Sequence, residues 1–283
     1  MLQDLSLAAE WRRHLRAISR GLTTYGAAAS AHEHLALARA LRCRQIRPRR
    51  IAVIGSNGGV GTTTAAVLLA SVLAAARVDQ TLLLTLHSDA SDVAARLAVP
   101  RAPSVSQVLD SLRQTGRIPP TPVTRTGLRV LSAPPAGSPA LETGLDALLD
   151  VAAAGHASVV VDAGVANRIG CLGSLAELFD TVVLACGTTS DAVAATATVL
   201  TRWSDRQPTP DASRLILAPV RSRHGQRRAG SDPVGRLSVD GLASHALPYD
   251  PELGRGRPIE MSALSGPSMT AMLRLGAEIM AGR

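Results

Sequence analysis

Lysine is absent from this sequence, and aromatic residues make up only 2% of it. All 30 positions counted as lysine or arginine are therefore arginine, and against 22 acidic residues they give a formal net charge of +8. Such a charge attracts nucleic acid, anionic lipid or an acidic protein, or is simply solvated. Because aromatic side chains are so scarce, alanine, valine and leucine must fill the core, which favours helices packed closely against a sheet.

Cysteine is scarce as well, with three residues in the whole chain. Cys43, Cys171 and Cys186 lie far apart and form no CxxC pair, and the seven histidines show no ligand spacing. The sequence therefore predicts neither a zinc site nor a disulfide framework, and it favours a reducing cytosol.

Long apolar runs are also missing. The longest, around residues 65–76, is shorter than the ~20 residues that a membrane-spanning helix needs. Arginines interrupt the apolar residues near the N-terminus, unlike those in the core of a signal peptide. We therefore expect a cytoplasmic protein that meets the inner face of the membrane only through partners.

Two regions with different patterns divide the chain. Residues 1–48 are rich in arginine and alanine, with leucine and isoleucine at roughly helical spacing, which predicts a basic helical N-terminal extension. In residues 49–283, short apolar runs such as RIAVIG and TLLLTL alternate with segments of helical length. This alternation predicts an α/β domain, in which helices cover both faces of a mostly parallel sheet.

The first apolar strand is followed by the segment GSNGGVGTTTAA, residues 55–66. Its glycines allow the backbone to approach an anion closely, and the amide groups of the loop and of the next helix N-terminus carry partial positive charge. A position between a strand and a helix is the context that a phosphate-binding loop requires. We therefore predict contacts to nucleotide phosphates from Gly58, Gly59, Val60, Gly61, Thr62, Thr63 and Thr64.

The loop departs from the usual pattern GxxxxGK[ST]. Ser56 and Thr62 stand where that pattern has glycine and lysine, and Thr63 stands at the hydroxyl position that binds Mg²⁺. Codon bias alone would have put arginine in place of a lost lysine, so composition does not explain Thr62. From the loop alone, a phosphate site and a loop that has lost its ligand both stay open.

Longer segments carry a resemblance to a known family. Residues 51–97, 159–203 and 246–264 resemble the phosphate loop, the second acidic strand and the closing segment of MinD/ParA-like (SIMIBI-class) P-loop ATPases, specifically the actinobacterial branch associated with type VII secretion. The likeness covers nearly the whole chain. It implies a P-loop NTPase fold, ATP and Mg²⁺ as ligands, a homodimer, and a secretion-system or other protein as partner.

The resemblance also identifies the charges that are missing. The family loop contains KGGVGKTT, in which the second lysine contacts the phosphates of its own subunit and the first extends across a nucleotide-sandwich dimer. Asn57 stands at the position of the lysine that crosses the dimer, and Thr62 stands at the other. The resemblance therefore implies a degenerate Walker A motif.

Acidic positions of the family are only partly kept. Asp162, at the end of VVVD, matches the acid that holds Mg²⁺ through water. After the second strand, Thr85 stands at the first acidic position of the family pattern, so Asp89 is the acid that remains in that segment. Ala218 and Pro219 stand where the family tends to have asparagine beside adenine. The candidate catalytic residues are Asp89 and Asp162, and the candidate Mg²⁺ ligands are Thr63 and Asp162.

Losing these charges affects binding less than hydrolysis. A hydrogen bond to a charged group contributes ~1.5–3 kcal/mol, so losing the lysine of the loop weakens ATP binding by about ten- to a hundredfold. Phosphoryl transfer depends on charges at the transition state, where one arginine contributes ~10³-fold or more. Catalysis would need a substitute arginine, for which the candidates in the polar loop are Arg221, Arg223, Arg227 and Arg228.

Three interpretations follow. The first is a regulatory protein that binds ATP weakly and hydrolyses little or none of it, a pseudo-ATPase. The second is a working ATPase with a rearranged site that uses arginine in place of lysine. The third is an interaction scaffold without nucleotide, or a DNA-partitioning protein whose surface arginines bind the phosphate backbone. DNA is the less favoured partner, because no aromatic residues are interleaved with the arginines.

Overall fold

The computed structural model describes residues 27–43, 45–77, 79–86, 93–100, 102–132, 140–166, 177–205, 214–222 and 242–282. Most of the predicted basic extension, residues 1–26, lies outside these ranges. The division of the chain at residue 48 stays a prediction.

A single parallel sheet organises the described residues. The strand order is β3-β2-β4-β1-β5-β6-β7, and every neighbouring pair is parallel. The predicted α/β class is therefore confirmed. The strands are β1 (Arg49–Gly55), β2 (Thr81–Thr85), β3 (Leu128–Leu131), β4 (Ser158–Val165), β5 (Thr181–Gly187), β6 (Leu215–Val220) and β7 (Ala243–Ser244).

Helices follow the strands, as parallel connections require. They are α1 (Ala27–Leu41), α2 (Thr62–Ala76), α3 (Val93–Arg96), α4 (Val105–Thr115), α5 (Ala140–Gly155), α6 (Ser190–Asp205), α7 (Pro251–Gly254) and α8 (Gly266–Ala281), with a 3₁₀ turn at Met261–Ala263. Within this set, no helix is both long and apolar enough to cross a bilayer.

Strand side chains alternate between two apolar layers. In β1, Ile51 and Val53 face the layer that contains α1, α2 and α8. Ala52 and Ile54 face the opposite layer, which contains residues of α4, α5 and α6. Helices therefore cover both faces of the sheet, which explains why the strands are continuous apolar runs rather than alternating ones.

Helix α2 is the most buried helix of the first layer. Twelve of its 15 residues are buried, and five of those are alanines. Small side chains allow the helix axis to approach the sheet closely, and α2 packs mainly above β4. Because α2 begins where β1 ends, this packing fixes its N-terminus at the carboxyl edge of the sheet.

Helix α1 packs onto the same layer through its C-terminal end. The fully buried side chain of Leu41 lies against α8, where a Cβ at Gly276 would come within 2.8 Å of it. The guanidinium of Arg77, directly after α2, donates 3.0 Å hydrogen bonds to the carbonyls of Leu41 and Cys43. The same guanidinium pairs with Asp79 at 2.6 Å. Residues 27–43 are therefore part of the packed α/β structure.

The middle of α1 is held to α8 by polar contacts. The ring of His34 hydrogen-bonds the Thr270 hydroxyl at 2.7 Å, and Glu33 pairs with Arg274. Burial, opposed by the charge of Glu33, lowers the pKa of His34 below its ordinary value. His34 is therefore a neutral, structural histidine at neutral pH.

We expect Leu41→Ala to lower the free energy of unfolding by about 2–5 kcal/mol, because it leaves a cavity between α1, α2 and α8. Leu35→Ala, on the same helix, is the matched control, since the Leu35 side chain is 50% exposed and its loss changes stability by less than about 0.5 kcal/mol. Urea unfolding measures both. Equal effects would contradict the docking of α1.

Candidate functional site

The glycine-rich loop lies at the centre of the carboxyl edge of the sheet. It connects β1 with α2, and β1 is flanked by β4 and β5. The backbone N–H of Ser56 donates to the carbonyl of Ala185 at 2.9 Å, which anchors the start of the loop to β5. Ligands of open parallel sheets bind at this edge.

The backbone of the loop leaves open space above it. Gly59 and Gly61 have positive φ values of 76° and 91°, which side-chain-bearing residues rarely adopt. A Cβ added at Gly58 or Gly59 would meet nothing within 4 Å. Gly61 is the N-cap of α2 and offers no side chain to the first N–H groups of the helix. These groups can therefore bind an anion.

Thr62, at the position of the family's phosphate lysine, faces the sheet. Its side chain is only 8% exposed, and its Oγ1 lies so close to Gly55 that a Cβ there would collide with it. Thr63 and Thr64 follow in the first turn of α2 and are half-buried. Thr62 thus brings neither charge nor an outward hydroxyl to the loop.

Asn57 is engaged within its own loop. Its Oδ1 accepts a hydrogen bond from the Ser56 hydroxyl at 2.9 Å, and its Nδ2 donates to the carbonyl of Gly58 at 3.3 Å. Both ends of the side chain therefore contact neighbouring residues, and Val60, directly before Gly61, is buried. In this conformation Asn57 does not extend away from the loop as a dimer-crossing lysine would.

Asp162, the fifth residue of β4, lies beside Thr85, the last residue of β2. They are register partners, and both are fully buried. The backbone N–H of Gly164 donates to Oδ1 of Asp162 at 3.3 Å. The Thr85 Oγ1 has no hydrogen-bond partner within the described ranges, and buried polar atoms of this kind mark places where water or a ligand completes the network. Asp89 lies outside the described residues.

These groups fit a magnesium nucleotide better than a free metal ion. Among the residues that the structure describes, no three His, Cys, Asp or Glu side chains are grouped to hold a metal ion. Magnesium usually binds through one or two carboxylates together with substrate phosphates and water. Asp162 and Thr63 could supply the protein side of such a site, and phosphates in the open space above Gly58 and Gly59 could supply the rest.

A cavity of about 150 Å³ adjoins the first turn of α2. Its lining includes Gly61 and Thr64 from the loop side, Val220 from the end of β6, and Tyr249 and Asp250 from the segment before α7. A separate groove of about 690 Å³ is formed mainly by residues 97–100, 123–126 and 258–262 and does not include the loop. The smaller cavity is therefore the one placed to receive part of a ligand bound at the loop.

Asp250 organises the wall of this cavity. Its carboxylate accepts hydrogen bonds from the backbone N–H groups of Glu252 at 3.0 Å and Ser265 at 2.9 Å, which joins α7 to the start of α8. Burial opposes its ionisation, but the hydrogen bonds from Ser265, Ser268 and Glu252 outweigh burial and lower the pKa of Asp250. The Asp–Pro pair in the sequence is a helix N-cap signal that could have identified this residue.

Two further features of the site concern arginines. Arg221, one of the predicted substitutes for lysine, lines the cavity and is exposed, whereas Arg223, Arg227 and Arg228 lie outside the described residues. Arg96, which the sequence did not single out, donates from Nη2 to the Thr64 hydroxyl at 3.0 Å. No sequence pattern separates Arg96 from the other arginines, because its contact with α2 is long-range.

No protein-family model matches the sequence, and no curated protein matches it. Solved structures do. A ParA family ATPase from Chlorobium tepidum TLS superposes with a TM-score of 0.60 at 15% identity, over 81% of this chain and 98% of that one. An ATP complex of McdA from Cyanothece gives 0.59 at 14%, over 84% and 98%. MinD with Mg-ADP from Pyrococcus horikoshii OT3 gives 0.56 at 15%, over 81% and 94%.

The chain has a MinD/ParA-like fold. At these identities the likeness concerns the fold, and it accounts for the parallel sheet, the glycine loop after β1 and the helices on both faces. Within this MinD/ParA-like fold, the loop, Asp162 and the small cavity all lie at the carboxyl edge of the strands.

We expect Gly59→Val to abolish nucleotide binding, because valine strains a backbone with φ of 76° and places its side chain in the open space above the loop. Gly127→Val is the matched control, since Gly127 has φ of 85° and similar free space in a remote turn. Both variants should lose a similar ~1–3 kcal/mol of stability. Calorimetric titration with Mg·ATP separates them, and unchanged affinity in Gly59→Val would refute the placement.

Proposed function

We propose that this chain is a MinD/ParA-like nucleotide-binding regulatory protein that binds ATP weakly and hydrolyses little or none of it. The observation that carries the proposal is the loop itself. Its backbone leaves open space and free helix N–H groups for phosphate, while Thr62 faces β1 at the position of the absent lysine. The backbone part of a phosphate site is thus kept, and its side-chain charge is not.

Several features support ATP as the ligand. The open space above Gly58 and Gly59 lies next to a cavity formed by Gly61, Thr64 and residues of β6 and α7. Phosphates over the loop would leave the base near this cavity. Two of the similar structures, McdA from Cyanothece and MinD from Pyrococcus horikoshii, contain ATP and Mg-ADP.

The residues at the metal position support binding rather than turnover. Mg²⁺, when bound with the nucleotide, neutralises charge on the phosphates. Asp162 would hold the metal through water and Thr63 would contact it directly. The Thr85 hydroxyl, which has no partner among the described residues, could hold a water molecule but cannot act as a base. Without the two lysines and with threonine at residue 85, little charge faces the transition state.

We infer a regulatory role because the two lysines are missing and residue 85 is threonine, which disfavours turnover. A protein that binds ATP without rapid turnover changes state with nucleotide concentration or with a partner, rather than by completing a catalytic cycle. The resemblance to the type VII secretion branch supports a secretion component as that partner, and the fold supports a homodimer as the assembled state. The basic extension, residues 1–48, would then contribute positive charge to the partner surface.

We expect the purified full-length chain to bind Mg·ATP weakly in calorimetry, with turnover on the same sample close to the uncatalysed rate. Asp162→Asn, which keeps the size of the side chain, should weaken binding in Mg²⁺ and leave binding in EDTA unchanged. Rapid turnover that disappears in Asp162→Asn would instead establish a working ATPase. Absence of binding at millimolar nucleotide, alone and with partner, would favour a scaffold.

We expect Thr62→Lys to raise the affinity for Mg·ATP by about ten- to a hundredfold, because it restores a charged hydrogen bond to phosphate. The lysine must leave the contact that Thr62 makes with Gly55, and the open side of the loop accommodates it. Thr115→Lys adds the same charge at an exposed residue of α4 and is the control. Equal affinities in the two variants would argue against phosphate at the loop.

A further inference from the structure

Arg96 is a partly buried cation whose side chain makes one hydrogen bond to the described residues. It is the last residue of α3, and its Nη2 donates to the Thr64 Oγ1 in the first turn of α2 at 3.0 Å. Its Nε is buried and has no partner in the part of the chain that the structure describes. Across the same residues, no carboxylate lies within the 4.0 Å that defines an ion pair with Arg96.

Arg77 is a buried arginine, and its partners differ from those of Arg96. Its guanidinium pairs with Asp79 at 2.6 Å and also donates to the carbonyls of Leu41 and Cys43. Among the described residues Arg96 has no such carboxylate or carbonyl partner, and burial lowers its pKa. The guanidinium nevertheless stays protonated near neutral pH. A buried charge without a counter-charge is costly, and such charges in proteins are ordinarily paired.

The backbone holds Arg96 in place. The N–H of Ile259 donates to its carbonyl at 2.7 Å, which ties it to the segment after α7. The end of α3 is closed by Val99 N–H donating to the Ala94 carbonyl at 3.0 Å, with Ala98 in the left-handed region at φ of 50°. The Arg96 side chain therefore starts from a fixed point beside α2.

The residue that Arg96 contacts, Thr64, lies at the N-terminus of α2 and beside the small cavity. Thr64, the partner of Arg96, lines the cavity together with Gly61, the N-cap of α2. The N-terminus of α2 adds the positive end of the helix dipole. Arg96 and the N-terminus of α2 thus place positive charge beside Thr64, while the lining of the same cavity also includes the Asp250 carboxylate.

We propose that Arg96 binds the phosphate chain of the nucleotide and supplies the positive charge that the loop itself lacks. This inference rests on the proposed function, since it assigns a residue to the same site. The cation comes from α3, about 30 residues after the loop, rather than from the loop or from a second subunit. In the free protein the Thr64 hydroxyl positions the guanidinium, and the phosphates provide the missing counter-charge.

The test is titration of the full-length chain with ADP and with inorganic pyrophosphate. We expect Arg96→Gln to lower both affinities by about ten- to a hundredfold, the size of a lost charged hydrogen bond. Binding to the variant should also depend less on salt concentration. Arg113→Gln is the matched control, because Arg113 is exposed on α4 and pairs with Asp110 at 3.2 Å. It should bind both ligands as the parent chain does.

A second readout separates binding from folding. Because the described residues offer Arg96 no counter-charge, Arg96→Gln should unfold at the same temperature as the parent chain or a higher one, and Arg96→Lys should recover part of the ADP affinity. A marked loss of thermal stability in Arg96→Gln would assign Arg96 a structural role and overturn the proposal.

Two further results would also overturn the proposal, and they differ in what they say of the function. If the parent chain and Arg96→Gln bind ADP equally, the assignment of Arg96 fails while the nucleotide-binding function stands. If the parent chain binds neither ADP nor pyrophosphate at millimolar concentration, the proposed function fails and the role of Arg96 fails with it.

Discussion

The packing of α2 onto the centre of the sheet is the contact on which the rest of the structure depends. Its alanine-rich face lies above β4, and its N-terminus is reached from β1 by a loop of six residues. The loop can turn this sharply because Gly59 and Gly61 adopt positive φ. The same geometry that closes the core therefore exposes backbone N–H groups at the carboxyl edge of the sheet, before any side chain contributes.

At the candidate site the backbone is arranged to bind an anion, whereas several side chains differ from those of the family that the sequence resembles. Where the resembling ATPases place lysines, this chain has Asn57, bonded within its own loop, and Thr62, packed on Gly55. The acid Asp162 remains, but its register partner is Thr85. Under the proposed function, affinity would tolerate such losses because several N–H groups contact phosphate together, whereas phosphoryl transfer depends on a few charges at the transition state.

Local patterns in the sequence predicted the sheet, α2 and the loop, because apolar periodicity and glycine position are local signals. The position of Asp162 in β4 follows from the same patterns. Three features could not be predicted. The direction of the Thr62 side chain depends on its contact with Gly55, and the proximity of Arg96 to Thr64 depends on tertiary packing. The short β7 is defined by its pairing with β6 rather than by its composition.

Asp250 has a consequence for communication through the molecule. Its carboxylate lines the cavity and also fixes the first residues of α8, the helix along which α1 lies. The wall of the cavity and the helix that supports α1 are thus joined by one side chain. A partner bound at α1 and a ligand in the cavity would each act on the other through the position of a single helix.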